Sequence, residues 1–473
     1  MTRLSDKFLL FISIIFFGSF VYSQGTVKEV FTLDQFLEIV IQEHPVALQA
    51  KLATDKGQAY LIKAKGGFDP KIYGGASQKY FDGTQYYSLI GGGLKLPTWF
   101  GVELDAGYDI GQGKYINPEN ATAGDGLWRA GVKIPLGKNL MIDARRATLK
   151  QAKIYEASSV AQGQMIMNKL VYDATVVYWD WFKAYHKMKL YALAVENASI
   201  RLKDVKKSAV LGDKPFMDTL ESHINLQQRV FSYANYQLHF KNAQAKMDLY
   251  LWQNGYIPLE LSPTVLPPNV ADLQIAEMDL PILAMLDSLS SYHPKLLKYQ
   301  AEVDIAKVDV RLSKEQLKPE VNIKYNALNA PVNGNPWQNY SINNYKWGAE
   351  VSFPVFIRKE RGALKLNQLA LQDAQVEMTY LKANQTYDIW AYYNGWQTSI
   401  QQINVSRDMV TNYTKLLSGE QKLFNLGESS VFLLNAREKS LIEAQLNLIE
   451  ATISNQKAKV STAYALGILP FNE

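Results

Sequence analysis

HPVALQAKLATDKGQAYLIKAKGGFDP, residues 44–70, and HPKLLKYQAEVDIAKVDVRLSKEQLKP, residues 293–319, say nearly the same thing. Each opens on His-Pro and closes on a proline 25 residues after the first. Laid 249 residues apart without a gap, they also share Leu48/Leu297, Asp55/Asp304 and Lys65/Lys314. Proline disfavours helix in the residue before it, so Pro70 and Pro319 each end a helical stretch. Upstream of the first copy, Leu33, Phe36, Leu37, Val40 and Ile41 fall at helical spacing behind Thr32, a favoured N-cap residue.

Beyond each closing proline the period changes to two. In VELDAGYDI, Val102, Leu104, Ala106, Tyr108 and Ile110 oppose Glu103, Asp105, Gly107 and Asp109. LWRAGVKIPL alternates likewise from Leu127 and closes on Pro135. The second copy repeats the order with VNIKYNAL from Val321 and WGAEVSFPVF from Trp347, closing on Pro354. These are strands with one apolar and one polar face. The first copy is longer, with four strand-like runs between Phe68 and Leu136 against two in the second. The surplus reads as a long hairpin rather than as two further strands of the same wall.

Long helices follow. Val177, Trp181, Ala184, Met188, Tyr191, Val195, Ala198, Leu202 and Val205 step by four and three, a heptad seam. Tyr392, Trp396, Ile403, Val410, Tyr413, Leu417 and Phe424 form the second seam, with Ser399 and Ser406 in its gaps. A helix over 137–210 is about 110 Å long. Each then meets a Leu-Gly pair, in LGDKPFMDTLES from Leu211 and LGESSVFLLNAR from Leu426, and a return helix follows. The organisation is therefore a first repeat, 24–257 (strands 68–136, long helix 137–210, return helix 213–252), and a second, 282–473 (strands 319–355, long helix 356–425, return helix 428–467). A proline-rich linker, 258–281, joins them.

Arg3 and Lys7 precede an apolar run from Phe8 to Val21, and Val21 and Ser23 suit the −3 and −1 positions. Residues 1–23 read as a signal peptide cleaved before Gln24. No later stretch is apolar enough to span a bilayer as a helix. The 473 residues hold no cysteine, which excludes disulfides, thiolate metal sites and a lipid-modified Cys. Net charge is +5 with signs interspersed, so no nucleic-acid arm is present. The five histidines, His44, His186, His223, His239 and His293, show no metal-ligand spacing. There is no P-loop, nucleophile elbow or Rossmann fingerprint; Gly91–Gly93 lies in strand text, where glycine permits bending or close packing. No catalytic, cofactor or metal residues are expected.

An exported chain with two-faced strands and no spanning helix needs partners that close the strand edges, and a closed barrel in a bilayer is one answer. In this order, with VKIP and VSFP ending the strands and the Leu-Gly turns at the tips, the chain resembles the TolC family of outer-membrane efflux proteins. The resemblance implies a mostly α fold with β: a trimeric outer-membrane β-barrel continued by a long α-helical coiled-coil periplasmic tunnel, two structural repeats per protomer. It implies a passive exit duct of a Gram-negative tripartite efflux or type I secretion system. The partners would be a homotrimer, outer-membrane lipid, a periplasmic adaptor and an inner-membrane RND or ABC transporter.

It also implies adaptor docking at the tips, on Leu211, Gly212, Asp213, Leu426, Gly427 and Glu428, and acidic rings at the tunnel's inner end. Asp218 and Glu221 fall on those positions in the first repeat, with Glu428 a third candidate. The second repeat has FLLN there, with Asn435 its one polar residue. The acids are otherwise helix-start residues favoured by the macrodipole. The competing class is a secreted coiled-coil adhesin or scaffold without a channel, which has no use for two strand inserts at equivalent places.

Overall fold

The computed structural model describes residues 29–469 apart from 263, 278–280, 332–334, 336, 337 and 339. The expected signal peptide lies outside the described residues. The chain runs β1 (Glu29–Val30), α1 (Leu33–Glu43), α2 (Pro45–Lys65), β2 (Lys71–Phe81), β3 (Thr84–Pro97), β4 (Glu103–Gln112), β5 (Leu127–Pro135), α3 (Ala144–Val210) and α4 (Phe216–Asp248). Three short strands follow, β6 (Trp252–Gln253), β7 (Ile257–Pro258) and β8 (Val265–Leu266). The order then resumes with α5 (Ile282–Tyr292), α6 (Pro294–Gln316), β9 (Glu320–Asn329), β10 (Tyr345–Ser352), α7 (Arg358–Asn425) and α8 (Val431–Leu466).

Local chemistry sets the helix ends. Thr32 and Gln35 close a capping box on α1. His44 and His293 are the N-cap residues of α2 and α6, each followed by proline at the first helical position, where a missing N–H costs nothing. The His44 Nδ1 accepts from the Val46 N–H at 3.1 Å. Helix α3 begins later than residue 137, because Asn139 takes a positive φ of 74° and Asp143 caps the helix by accepting from the Arg146 N–H at 2.8 Å. At 67 and 68 residues, α3 and α7 are each about 100 Å long.

All six long strands form one antiparallel sheet in the order β10-β9-β5-β4-β3-β2. The surplus strand text, expected as a long hairpin, forms β2 and β3, which continue the sheet that β4, β5 and the second half's strands make. They do so because β2 leaves α2 at Pro70, level with the other junctions, and pairs along β3 from Lys71↔Lys95 to Phe81↔Thr84. Pro319 precedes β9, Pro135 ends β5, and Pro354 follows β10.

The main core lies midway along the long helices. There Phe36 and Val40 of α1 pack with Tyr178, Trp181 and Phe182 of α3, Met247 of α4 and Ile453 of α8. A second cluster joins Leu289, Leu296, Ile389 and Leu466. The connecting segment 258–281 is strapped across this belt. Pro268 O accepts from His186 Nε2 at 2.8 Å, and Ala276 O accepts from Trp396 Nε1 at 2.8 Å. The Ala276 N–H donates to Asn455 at 2.9 Å.

Candidate functional site

The sheet's alternation sorts most of its side chains by type, with Leu89, Leu127 and Leu328 on the mainly polar face and Gln78, Ser88, Gln112 and Asn329 on the mainly apolar one. One face carries Ile72, Ile90, Leu94, Leu104, Tyr108, Trp128, Val132, Ile323, Tyr325, Trp347 and Val351; in register with one another, Ile72, Leu94, Ala106, Ala130, Ala327 and Tyr345 form one row across all six strands. Among the described residues nothing covers the face: Ile72 is 89% exposed, Val351 70% and Trp347 65%. Tyr108 and Trp128 pair across strands with ring centroids 4.9 Å apart, and Tyr325 and Tyr345 stack at 5.8 Å. Trp99 and Phe100, in the β3–β4 turn on the helix side, are exposed too. Burying such a face is favourable at about 25 cal/mol per Å², so an uncovered one marks a contact with another apolar phase.

The other face is polar: Lys95, Glu103, Asp105, Asp109, Arg129, Lys133, Lys324, Asn326, Lys346 and Glu350. Its centre is one network. Arg129 donates from Nε to Asp109 at 2.6 Å, from Nη2 to the Tyr73 hydroxyl at 2.6 Å, and from Nη1 to Asp105. Tyr73 donates in turn to Asp105 at 2.8 Å. Tyr73, Gly93, Gly107 and Arg129 share one row of the sheet, so the tyrosine ring crosses two glycines to reach the arginine. A Cβ on Gly93 would lie 2.8 Å from the Tyr73 hydroxyl, and one on Gly107 2.5 Å from Arg129 Nη2. That is the close packing the Gly91–Gly93 run permits, and alternation alone did not point to Arg129 or Tyr73.

At the opposite end of the helices, both turns are built alike. Gly212 and Gly427 adopt φ of 83° and 79°. Asp213 N–H bonds Ser208 O at 2.9 Å and Gly212 N–H bonds Ala209 O at 3.2 Å; Glu428 and Gly427 do the same to Leu423 O at 2.9 Å and Phe424 O at 3.2 Å. These are Schellman closures, in which glycine takes the left-handed residue. Leu211, Asp213, Leu426 and Glu428 are exposed. Asp218, in the first turn of α4, is half-buried, and Lys214 lies over the Phe424 ring between the two hairpins.

Glu221 accepts from Asn435 Nδ2 at 3.4 Å, and Asn435 accepts from Arg201 at 2.9 Å. Arg201 pairs with Glu438 at 2.6 Å, both largely buried. Among the described residues no hydrogen bond or ion pair joins Glu428 to Asp218 or Glu221. Sequence reasoning passed over Arg201 and Glu438; the signal available was a charge beside the seam residue Leu202. Higher up, Lys183 and Lys187 of α3 pair with Glu450 of α8 at 3.2 and 2.6 Å, and Lys457 with Asp180 at 2.7 Å.

Among the described residues, no three His, Cys, Asp or Glu side chains converge as metal ligands, and no helix is long and apolar enough to cross a membrane.

Residues 285–467 match the family described as outer membrane efflux protein. No curated protein matches the chain. The open-state MtrE outer membrane channel of Neisseria gonorrhoeae has the same fold, at 13% identity and TM-score 0.66 over 92% of this chain and 88% of that one. So do the Campylobacter jejuni CmeC outer membrane channel (12%, TM-score 0.65, 92% and 85%) and the Vibrio cholerae outer membrane protein VceC (13%, TM-score 0.64, 92% and 96%).

Proposed function

We propose that this chain, an outer membrane efflux protein by its matched second half and an outer-membrane channel by its fold, is one protomer of a passive exit duct in the outer membrane of a Gram-negative bacterium. The observation that carries the reading is the uncovered apolar face of the sheet, set at the end of helices about 100 Å long. A ten-residue strand such as β4 or β9, tilted by about 40°, rises about 25 Å, the height of the apolar band on outer-membrane barrels.

Three protomers close the sheets into a β-barrel and the helices into a periplasmic tunnel, each protomer supplying two similar staves, 24–257 and 282–473. Residues 1–23 direct export. The tips, Leu211–Asp213 and Leu426–Glu428, dock on a periplasmic adaptor, which links the duct to an energised inner-membrane transporter of the RND or ABC class. The duct itself carries out no chemistry. Negative-stain microscopy of the mature protein in detergent tests this reading. A hollow threefold particle with a tube of about 100 Å beyond the detergent belt is expected; a solid or monomeric rod without a belt would sink it.

Asp218 and Glu221 of three protomers, with Glu428 beside them, form acidic rings at the tunnel's inner end and favour cations there. Single-channel recording on protein carrying Asp218→Asn with Glu221→Gln should show reduced cation selectivity. Unchanged conductance and selectivity would leave these acids as ordinary helix-start residues.

A further inference from the structure

We infer that the β2–β3 hairpin is part of the membrane wall, and that β2 of one protomer pairs with β10 of the next to close a trimeric barrel of eighteen strands. The inference rests on the duct reading above and adds the calibre and the seam.

Three observations lead to it. First, β2 and β3 sit at the same level as the other strands. The apolar row Ile72, Leu94, Ala106, Ala130, Ala327 and Tyr345 crosses the whole sheet, so the hairpin carries the same outward face as the strands beside it. A hairpin standing above the bilayer has no use for Ile72, Ile90 and Leu94 on that face. Second, the hairpin is bolted down. Tyr73 of β2 reaches over β3 and β4 to Arg129 of β5, and Asp105 and Asp109 of β4 hold the arginine from the other side.

Third, the widths agree. Helices α2, α3, α6 and α7 enter the sheet side by side in that order, and β2, β5, β9 and β10 are the strands they meet. Three gaps between packed helices span about 27 Å at roughly 9 Å each. Six strands have five gaps, about 31 Å along the circumference at 4.8 Å spacing and 40° tilt, whereas four strands would give only about 19 Å.

Among the described residues the sheet leaves two free edges, β2 and β10. Unpaired strand edges are not tolerated in hydrocarbon. β2 runs away from the helices and β10 runs back toward them, so a head-to-tail seam between copies is antiparallel, as the rest of the sheet is. Such a heterologous contact closes into a ring under threefold symmetry. The backbone cylinder would be about 36 Å across, against about 24 Å for twelve strands. A wall of that size leaves an aqueous lumen lined by the polar face, with the network around Arg129 repeated three times. The loop between β4 and β5 folds back over this face: Thr122 and Gly111 exchange backbone and side-chain hydrogen bonds at 3.0 and 3.1 Å.

Cryo-electron microscopy of the full mature chain in detergent tests the seam directly. Eighteen strands in a threefold barrel is the expected count. A threefold tube with a twelve-stranded barrel, β2 and β3 lying outside the wall, would overturn this inference and leave the duct standing. Absence of any threefold tube would remove both. Because the chain has no cysteine, the seam can also be trapped. Ser77→Cys is combined in turn with Lys346→Cys, Gly348→Cys and Glu350→Cys, all on the polar face. On oxidation at least one pair should give a covalent ladder ending at the trimer, absent from each single-cysteine protein. A covalent ladder from none of the pairs would count against β2–β10 pairing.

Discussion

The first and second halves of the chain agree in length where they are longest and diverge where a single side chain decides. Helices α3 and α7 have 67 and 68 residues, and α4 and α8 have 33 and 36. Yet the first half sends four strands into the sheet and the second two. Equivalent residues also do different jobs. His44 accepts a hydrogen bond from its own helix, whereas His293 donates from Nε2 to Ala465 O at 3.1 Å, on α8. Trp181 and Trp396, matched positions 215 residues apart, are 0% and 1% exposed. Only Trp396 has a partner for its indole N–H. In the proposed duct, two staves of one tube must span the same distance, which accounts for the common helix length. Polar contacts are satisfied locally, so they are free to differ.

The largest test of this contrast is at the tryptophans. Trp396→Ala and Trp181→Ala should each destabilise the protein by about 3–5 kcal/mol, because both empty a buried aromatic site. Phenylalanine separates them. Trp396→Phe removes a hydrogen bond that ties α7 to the connecting segment at Ala276, whereas Trp181→Phe removes a buried N–H that has no partner. The first should cost about 1 kcal/mol more than the second. Thermal unfolding followed by circular dichroism reads the difference; equal losses of Tm would erase the distinction between the two sites.

The histidines come next. Burial holds His293 down to about 4, well below its ordinary 6.5, and its Nδ1 has no partner. Burial lowers His44 as well. The folded protein therefore keeps His293 neutral where the unfolded chain takes up a proton. Its contribution is fully present above about pH 6.5 and is lost as pH falls toward 4, by up to roughly 3 kcal/mol. Tm should fall across that window, and His293→Gln should flatten the profile. If the slope is unchanged in that variant, another group governs acid stability.

Much of this contrast was legible in the sequence, and the reasons for the remainder are physical. His-Pro, the strand-ending prolines and the Leu-Gly turns restrict the backbone locally, so a single chain displays them. Heptad steps mark the seam's buried centre, where Trp396, Ser399, Ile403 and Ser406 of α7 are buried, but Tyr392 on the same seam is exposed. Alternation found both faces of the sheet. It could not tell strands that extend the sheet from a separate hairpin, because both alternate and only pairing partners distinguish them. Asp143 was absorbed into α3 because the turn before it, at Gly137–Asn139, follows strand text without a break. The Arg201–Glu438 pair and the Glu221–Asn435 contact join residues more than 200 positions apart, and neither has a local pattern.

The smallest effect belongs to the tips. Ser430 caps α8 by accepting from the Leu433 N–H at 3.2 Å, while its counterpart Pro215 gives α4 no side-chain cap. Losing a serine cap costs about 1 kcal/mol, roughly a factor of five in a local opening equilibrium. Ser430→Ala should therefore speed hydrogen exchange of the first-turn amides of α8 about fivefold, toward the rate expected for the uncapped first turn of α4. Exchange far from the turn, at the belt around Trp396 and Asn455, should not move, because those residues are buried and make no contact with the cap. If the amides of α8 exchange no faster in the variant, the second tip is held by something other than its cap. The Glu420 carboxylate, which accepts from Ser429 and pairs with Arg437 at 3.5 Å, is the group then left to account for it.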